Sequence, residues 1–449
     1  MKTDKTFTRG VARGLALLTV GALSTALADA PTTAATLSLK DLIARAVQLA
    51  PTQRVSDASV AIAQAQQDAS RASLLPQLSA SASQMRETTN PAALGFSSIP
   101  GFALPSLIGP FSVFDARVQV SQKLVDLAAV SELHSAEFAH QAAEAQAEAS
   151  RESIASRVAI AYIQVLGNEE AVASAQADLD LANDLLTLSR DQRNAGVASG
   201  IDVSRAETSV AQDRYALSQA QTAIAQARLR LQRMAVLPMD TVPELSGSLD
   251  HIGAVNIDAT QALQTANADR PELVAIDASI KQADATLSAA RRKRLPTLSV
   301  VADYGLSASS PGENQEDTYR YGAMLSLPIY AGGAIAAQES SARAQLEQQR
   351  AQLDDLRQQI EEDVRLSIAT VVNTREQVRA AAAARELAER ELEQARDRFA
   401  NGVADNVDVI RAQTSLANAR AQLIGAQAAF QQARVNLAAA QGKAQQFDL

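Results

Sequence analysis

The chain has 449 residues, of which 47% are hydrophobic but only 3% aromatic, with no cysteine, no tryptophan and a net charge of −9. The missing cysteines exclude disulfides, a thiolate metal site and a lipid attached at a cleaved N-terminal cysteine, and the acidic balance argues against nucleic acid as a partner. Length alone suggests about three domains, but a composition dominated by Ala and Gln suits long packed helices better than several compact cores.

Residues 1–28 read as a secretory signal peptide. Lys2, Lys5, Arg9 and Arg13 give the basic start, Leu15 to Leu23 the apolar stretch, and Ala26-Leu27-Ala28 the small-residue cleavage site. The apolar run is too short to span a bilayer. No later segment holds eighteen or more apolar residues, so an integral membrane component could be built only from strands.

From residue 37 one plan is followed twice, over 37–250 and 257–445. Ser38 and Asp258 are N-cap candidates, with Asp41 and Gln261 three residues on. Ala50-Pro51 and Arg270-Pro271 separate a short helix from a longer one, and Leu75-Pro76-Gln77-Leu78-Ser79 returns as Leu295-Pro296-Thr297-Leu298-Ser299. After each of these phrases the hydrophobic period changes to two. Strands are expected at about 77–86, 113–123, 297–307 and 318–328, with Phe114, Ala116, Val118 and Val120 alternating against Asp115, Arg117, Gln119 and Ser121. Ten residues cross a membrane at a tilt, although a half-buried soluble sheet shows the same alternation. Four strands cannot close a barrel, and an open edge is not tolerated in lipid, so a membrane reading forces an oligomer. The strand pairs enclose a long loop, Glu87 to Pro110, and a short one, Ala308 to Asp317.

Proline-free helical stretches follow at about 127–192 and 334–398, each roughly 100 Å long at 1.5 Å per residue. Tips at 194–200 and 400–406 turn them into return helices at 201–235 and 407–441, and residues 236–256 and 442–449 remain as a connector near the middle. The tips carry the clearest duplication. Gly196-Val197-Ala198-Ser199-Gly200-Ile201-Asp202-Val203-Ser204-Arg205 returns as Gly402-Val403-Ala404-Asp405-Asn406-Val407-Asp408-Val409-Ile410-Arg411. A duplicated tip with a matched Asp and Arg points to a symmetric device, not to an active site.

With these features together the chain resembles the TolC-like outer-membrane efflux proteins. The carriers are the repeated Leu-Pro-x-Leu-Ser entry to the strands, the Gly-Val-x-x-x-x-Asp-Val tips, and the strand exit Leu327-Pro328-Ile329-Tyr330-Ala331-Gly332-Gly333. The resemblance implies a mainly α protein with membrane β-structure. Its duplicated helical-hairpin and β-hairpin plan would form a trimeric α-barrel tunnel continuous with a twelve-stranded β-barrel. It implies a homotrimer in outer-membrane lipid, reaching into the periplasm of a Gram-negative bacterium. Such a channel receives cargo from an inner-membrane transporter through a periplasmic adaptor in tripartite efflux or type I secretion. An alternative from another class is a periplasmic or secreted coiled-coil scaffold without a pore.

The resemblance further implies a periplasmic gate at the tips. Asp202 and Asp408 fall on its positions, Phe399 stands where a tyrosine is often found, and Arg411 occupies a position that is acidic in some members. From the spacing alone, Asp202–Arg205 and Asp408–Arg411 are i,i+3 pairs that can neutralise each other along one helix; ordinary surface pairs would look the same. Gly196 and Gly402 suit the tight reversal, and with Val197 and Val403 they mark the expected adaptor-docking tips. No cofactor, metal site or catalytic constellation is expected: His134 and His140 are six residues apart, and His251 lies in the connector. The basic run Arg291-Arg292-Lys293-Arg294 could meet lipid headgroups or simply be solvated. Tyr304, Tyr319 and Tyr321 could belong to an aromatic girdle or to ordinary packing.

Overall fold

The computed structural model describes residues 37–94, 105–240, 243–252 and 257–449; the expected leader, 1–28, lies outside them. The first repeat opens with α1 (Leu39–Leu49), where the Ser38 hydroxyl accepts the Asp41 amide at 3.2 Å. Pro51 then starts α2 (Pro51–Ala72), a position where its missing N–H costs no helical bond. Strands β1 (Gln77–Thr89) and β2 (Ile108–Val125) follow, then α3 (Leu127–Asn194) and the return helix α4 (Gly200–Met234). The second repeat gives α5 (Ala259–Asp269), α6 (Pro271–Arg292), β3 (Thr297–Ala308), β4 (Glu316–Ser326), α7 (Ala334–Ala400) and α8 (Asn406–Ala440). Asp258 caps α5 through the amides of Thr260 and Gln261. Gly332 and Gly333, with φ of +59° and +85°, make the bend from β4 into α7.

Helix α3 is the axis of the chain. α2 and α4 pack on one flank of it, α6 and α8 on the other, and α7 lies beyond α6 and α8. The result is a layer four helices wide, in which each long helix is matched by two shorter ones placed end to end. Its edges are the α2/α4 row and α7. The largest core lies at mid-height, where α1, α3, α4 and α8 bury Leu42, Val158, Tyr162, Ile163, Leu231 and Val435. Each such aliphatic side chain contributes about 1.5–3 kcal/mol through its removal from water. The connectors strap this level: Gln431 Nε2 donates to the His251 carbonyl at 3.1 Å, and the Ala444 amide to Glu152 at 2.6 Å. Among the described residues no helix is long and apolar enough to cross a membrane.

The strands form one antiparallel sheet in the order β1-β2-β3-β4, so β2 and β3 join the two repeats and β1 and β4 are free edges. Leu78, Ala80, Val118, Val120, Val300, Ala302, Tyr304, Tyr319, Tyr321 and Leu325 share one face, and Ser79, Ser81, Arg117, Gln119 and Asp303 the other. Tyr319 and Tyr321 stack with ring centroids 6.3 Å apart. β1 and β2 run past the expected ends at 86 and 113, because backbone pairing continues to Glu87↔Phe111 and Thr89↔Ile108 after the apolar alternation has stopped. β4 ends at Ser326 rather than 328. Its last partner is Thr297, immediately after Pro296, and Pro328 has no N–H to extend the ladder.

The basic run at the end of α6 is paired. Arg291 and Arg294 reach Glu339 at 3.2 and 2.9 Å, Arg292 donates to Ser131 at 2.7 Å, and Lys293 lies 3.5 Å from Glu132. It ties α6 to α3 and α7 just below the sheet, and the three arginines Arg291, Arg294 and Arg343 hold the Glu339 carboxyl below the usual glutamate range.

Candidate functional site

Both tips are built by the same local rules. α3 closes in a Schellman turn, where the Gly196 amide donates to Arg193 O at 3.0 Å and the Val197 amide to Gln192 O at 2.9 Å. α7 closes identically: Gly402 donates to Phe399 O at 3.0 Å and Val403 to Arg398 O at 2.9 Å. These turns put Gly196 and Gly402 at φ of +81° and +70°, where a side chain would be strained. They also push Val197 and Val403 outward, 75% and 71% exposed.

The return helices start differently. Ser199 caps α4 in a capping box: its amide and hydroxyl both donate to the Asp202 carboxylate, at 2.9 and 2.6 Å. Arg205 lies 3.5 Å from the same carboxylate. Hydrogen bonding from the Ser199 hydroxyl, and then from its amide and the Arg205 charge, holds Asp202 below the usual aspartate range against the opposing effect of burial. In the second tip Asp405 replaces the serine and accepts from the Val407 amide at 3.0 Å. No reciprocal box forms at Asp408: Asp405 lacks the hydroxyl that donates to Asp202 in the first tip and sets a second negative charge three residues before Asp408. The expected Asp408–Arg411 pair does not form within ion-pair distance either; the matched sequence positions carry one ion pair, Asp202–Arg205. The swap of a hydroxyl for an acid at the cap removes one of the two donors that hold the first aspartate and adds a like charge.

Two bonds lock the tips together. Asn406 is fully buried and donates Nδ2 to the Asp202 main-chain carbonyl at 2.7 Å, and Gln192 donates to the Phe399 carbonyl at 3.1 Å. Phe399, 3% exposed, fills the core between the hairpins with Leu185, Ala206, Leu392, Val409 and Leu416. Its ring therefore holds the hairpins in contact and does not face an opening within the chain. Asn406 was not singled out by sequence. Its signal is a break in the repeat, since it stands where the first tip has Gly200. Further up, Arg420 and Asp178 join α8 to α3 at 2.7 Å, and burial pushes Asp178 and neighbouring Asp213 up.

Residues 42–235 and 262–443 match the protein family described as outer membrane efflux protein. The toluene efflux pump outer membrane protein TtgC of Pseudomonas putida is 25% identical over 287 residues, 61% of this chain and 57% of its own length. The chain thus aligns with less than two thirds of that relative. The proteases secretion protein PrtF of Dickeya chrysanthemi is 31% identical over 136 residues, 30% of this chain and 29% of PrtF. The outer membrane channel CmeC of Campylobacter jejuni has a like fold, with a TM-score of 0.79 at 17% identity over 91% of this chain and 86% of that one.

Proposed function

Since the chain belongs to the outer membrane efflux protein family, we propose that three copies form an outer-membrane exit channel that passively conducts small toxic compounds or exported polypeptide. The observation that carries this reading is the agreement of the two free edges. The sheet ends in β1 and β4, and the helical layer in α2/α4 and α7. Because β1 follows α2 and β4 precedes α7, one side of the chain presents α2 with β1 and the other α7 with β4. A head-to-tail ring satisfies both layers at once and leaves no strand edge exposed to lipid. The apolar face of the sheet then meets lipid and the polar face lines the lumen.

In this reading the chain is exported through its leader, is not lipid-anchored, and works with a periplasmic adaptor and an inner-membrane transporter that supplies the energy. The tips form the periplasmic gate, with Asp202, Arg205, Asp408 and Arg411 around the opening and Phe399 behind them. Gly196-Val197 and Gly402-Val403 receive the adaptor. The test is planar-bilayer conductance of detergent-purified protein with its mass measured in parallel. Discrete steps from a trimer support the channel. A soluble monomer or dimer without conductance overturns it in favour of a scaffold.

A further inference from the structure

The polar face of the sheet carries a chain of charges across three strands. Arg117 Nη1 donates to Asp303 Oδ1 at 2.8 Å, and Arg320 Nε donates to Asp303 Oδ2 at 2.9 Å. Arg117 also grips Asp115 through Nε and Nη2. The sequence Asp115–Arg117–Asp303–Arg320 thus runs from β2 to β4 with alternating sign and no net charge. The Asp303 side chain is 1% exposed, whereas Arg320 is 69% exposed and is bound through Nε alone. Arg320 lines a concavity of about 650 Å³ with Gln119, Ser121, Lys123 and Ser299.

The surroundings leave this balance undisturbed. Lys123 is neutralised by Asp126 at 2.9 Å. On the same face of β1 the residues level with the ladder are Ser79, Ser81 and Ser83, none of them charged. Glu316 and Glu87 share the face but lie toward the outer end, level with Ser307 and Phe111. At Gly305, opposite Arg117, a Cβ would fall 2.5 Å from the arginine Cβ. The missing side chain is what lets Arg117 lie along the wall and reach Asp303.

We propose that Asp303 sets the charge preference of the strand-lined lumen, by holding Arg117 and Arg320 against the wall and cancelling their charge toward passing ions. The proposal rests on the channel reading above. Without Asp303 each chain would carry one uncompensated positive charge at this level. Such a ring attracts anions inside a low-dielectric wall more strongly than in bulk water.

The test is the reversal potential across a bilayer under a potassium chloride gradient, using the full-length trimer. Asp303→Asn should move it toward the chloride equilibrium value and Arg320→Gln toward the potassium value. The double variant, neutral again, should return to the wild-type value. That return distinguishes charge balance from general damage to the fold. If Asp303→Asn fails to assemble, Arg320→Gln decides alone, because its side chain is mostly exposed. Unchanged reversal potentials in conducting single variants overturn the proposal while leaving the channel intact. A wild-type protein that is a soluble monomer or dimer and passes no current overturns the channel reading and this proposal together.

Discussion

Asn406 Nδ2 lies 2.7 Å from the main-chain oxygen of Asp202, and this bond crosses between the two copies of the tip. The asparagine is fully buried and its own Oδ1 has no hydrogen-bond partner. It therefore contributes one directional bond at the cost of an unsatisfied acceptor, which suits a latch more than a core residue. Asn406→Ala should weaken the tip by about 1–3 kcal/mol, the range for breaking a buried hydrogen bond. Hydrogen exchange should quicken at residues 196–206 and 402–410, and openings in bilayer recordings should become more frequent. Unchanged protection at both tips would show that the bond does not hold them.

The two tip aspartates should respond unequally to substitution. Asp202 closes a capping box and pairs with Arg205, whereas Asp408 does neither. Loss of the box by Asp202→Ala should cost about 1 kcal/mol, and Asp408→Ala under about 0.5 kcal/mol. The pH dependence has a definite sign. Asp202 is held below its ordinary value, so its stabilisation is complete above the unfolded aspartate value of about 4 and is lost as pH falls through the lower folded value. Tip protection in the wild type should thus decline only below about pH 4, and in Asp202→Asn that decline should be missing. Equal behaviour of Asp202 and Asp408 variants would contradict the asymmetry.

What sequence made legible follows the physics of each level. The repeat, the prolines at Pro51 and Pro271 and the glycines at Gly196 and Gly402 act locally, through φ and through missing N–H groups, so they can be read residue by residue. The alternation in β2 and β3 is equally local. The ladder from Asp115 to Arg320 is not: Arg117 and Asp303 are 186 residues apart, and only the register of β2 on β3 brings them together. Asn406 escaped for the same reason, since its partner belongs to the other repeat. The Asp408–Arg411 pair was expected from spacing that fits Asp202–Arg205 equally well. It fails through the cap residue three positions earlier, a serine in one tip and an acid in the other.

Two glycines in the sheet form a matched pair for testing the wall. A Cβ at Gly305 would meet the Ala116 carbonyl at 2.4 Å and Arg117 Cβ at 2.5 Å, whereas a Cβ at Gly322 meets nothing within 4 Å. Backbone cannot yield cheaply in a paired strand, so Gly305→Ala should destabilise by more than about 2 kcal/mol. The yield of heat-resistant trimer on gels should fall sharply, while Gly322→Ala should assemble normally. Equal yields would mean that β2 and β3 are not packed as described.

Val197 and Val403 separate docking from conduction. Both stand at turn positions fixed by the preceding glycine, and neither takes part in the core that joins the hairpins. Replacing an exposed apolar side chain by a charged one alters surface chemistry with little effect on folding, typically within about 0.5 kcal/mol. At an interface the same change leaves a charge opposite an apolar pocket, and hot-spot losses run to about 2 kcal/mol or more, over tenfold in affinity. Val197→Asp/Val403→Asp should therefore abolish efflux or secretion in cells while purified trimers keep wild-type conductance. Each single variant should fall between, because the proposed ring of three copies would offer both tips in alternation. Lost conductance in the double variant would place the valines in the gate itself, and unimpaired export would remove them from the adaptor surface.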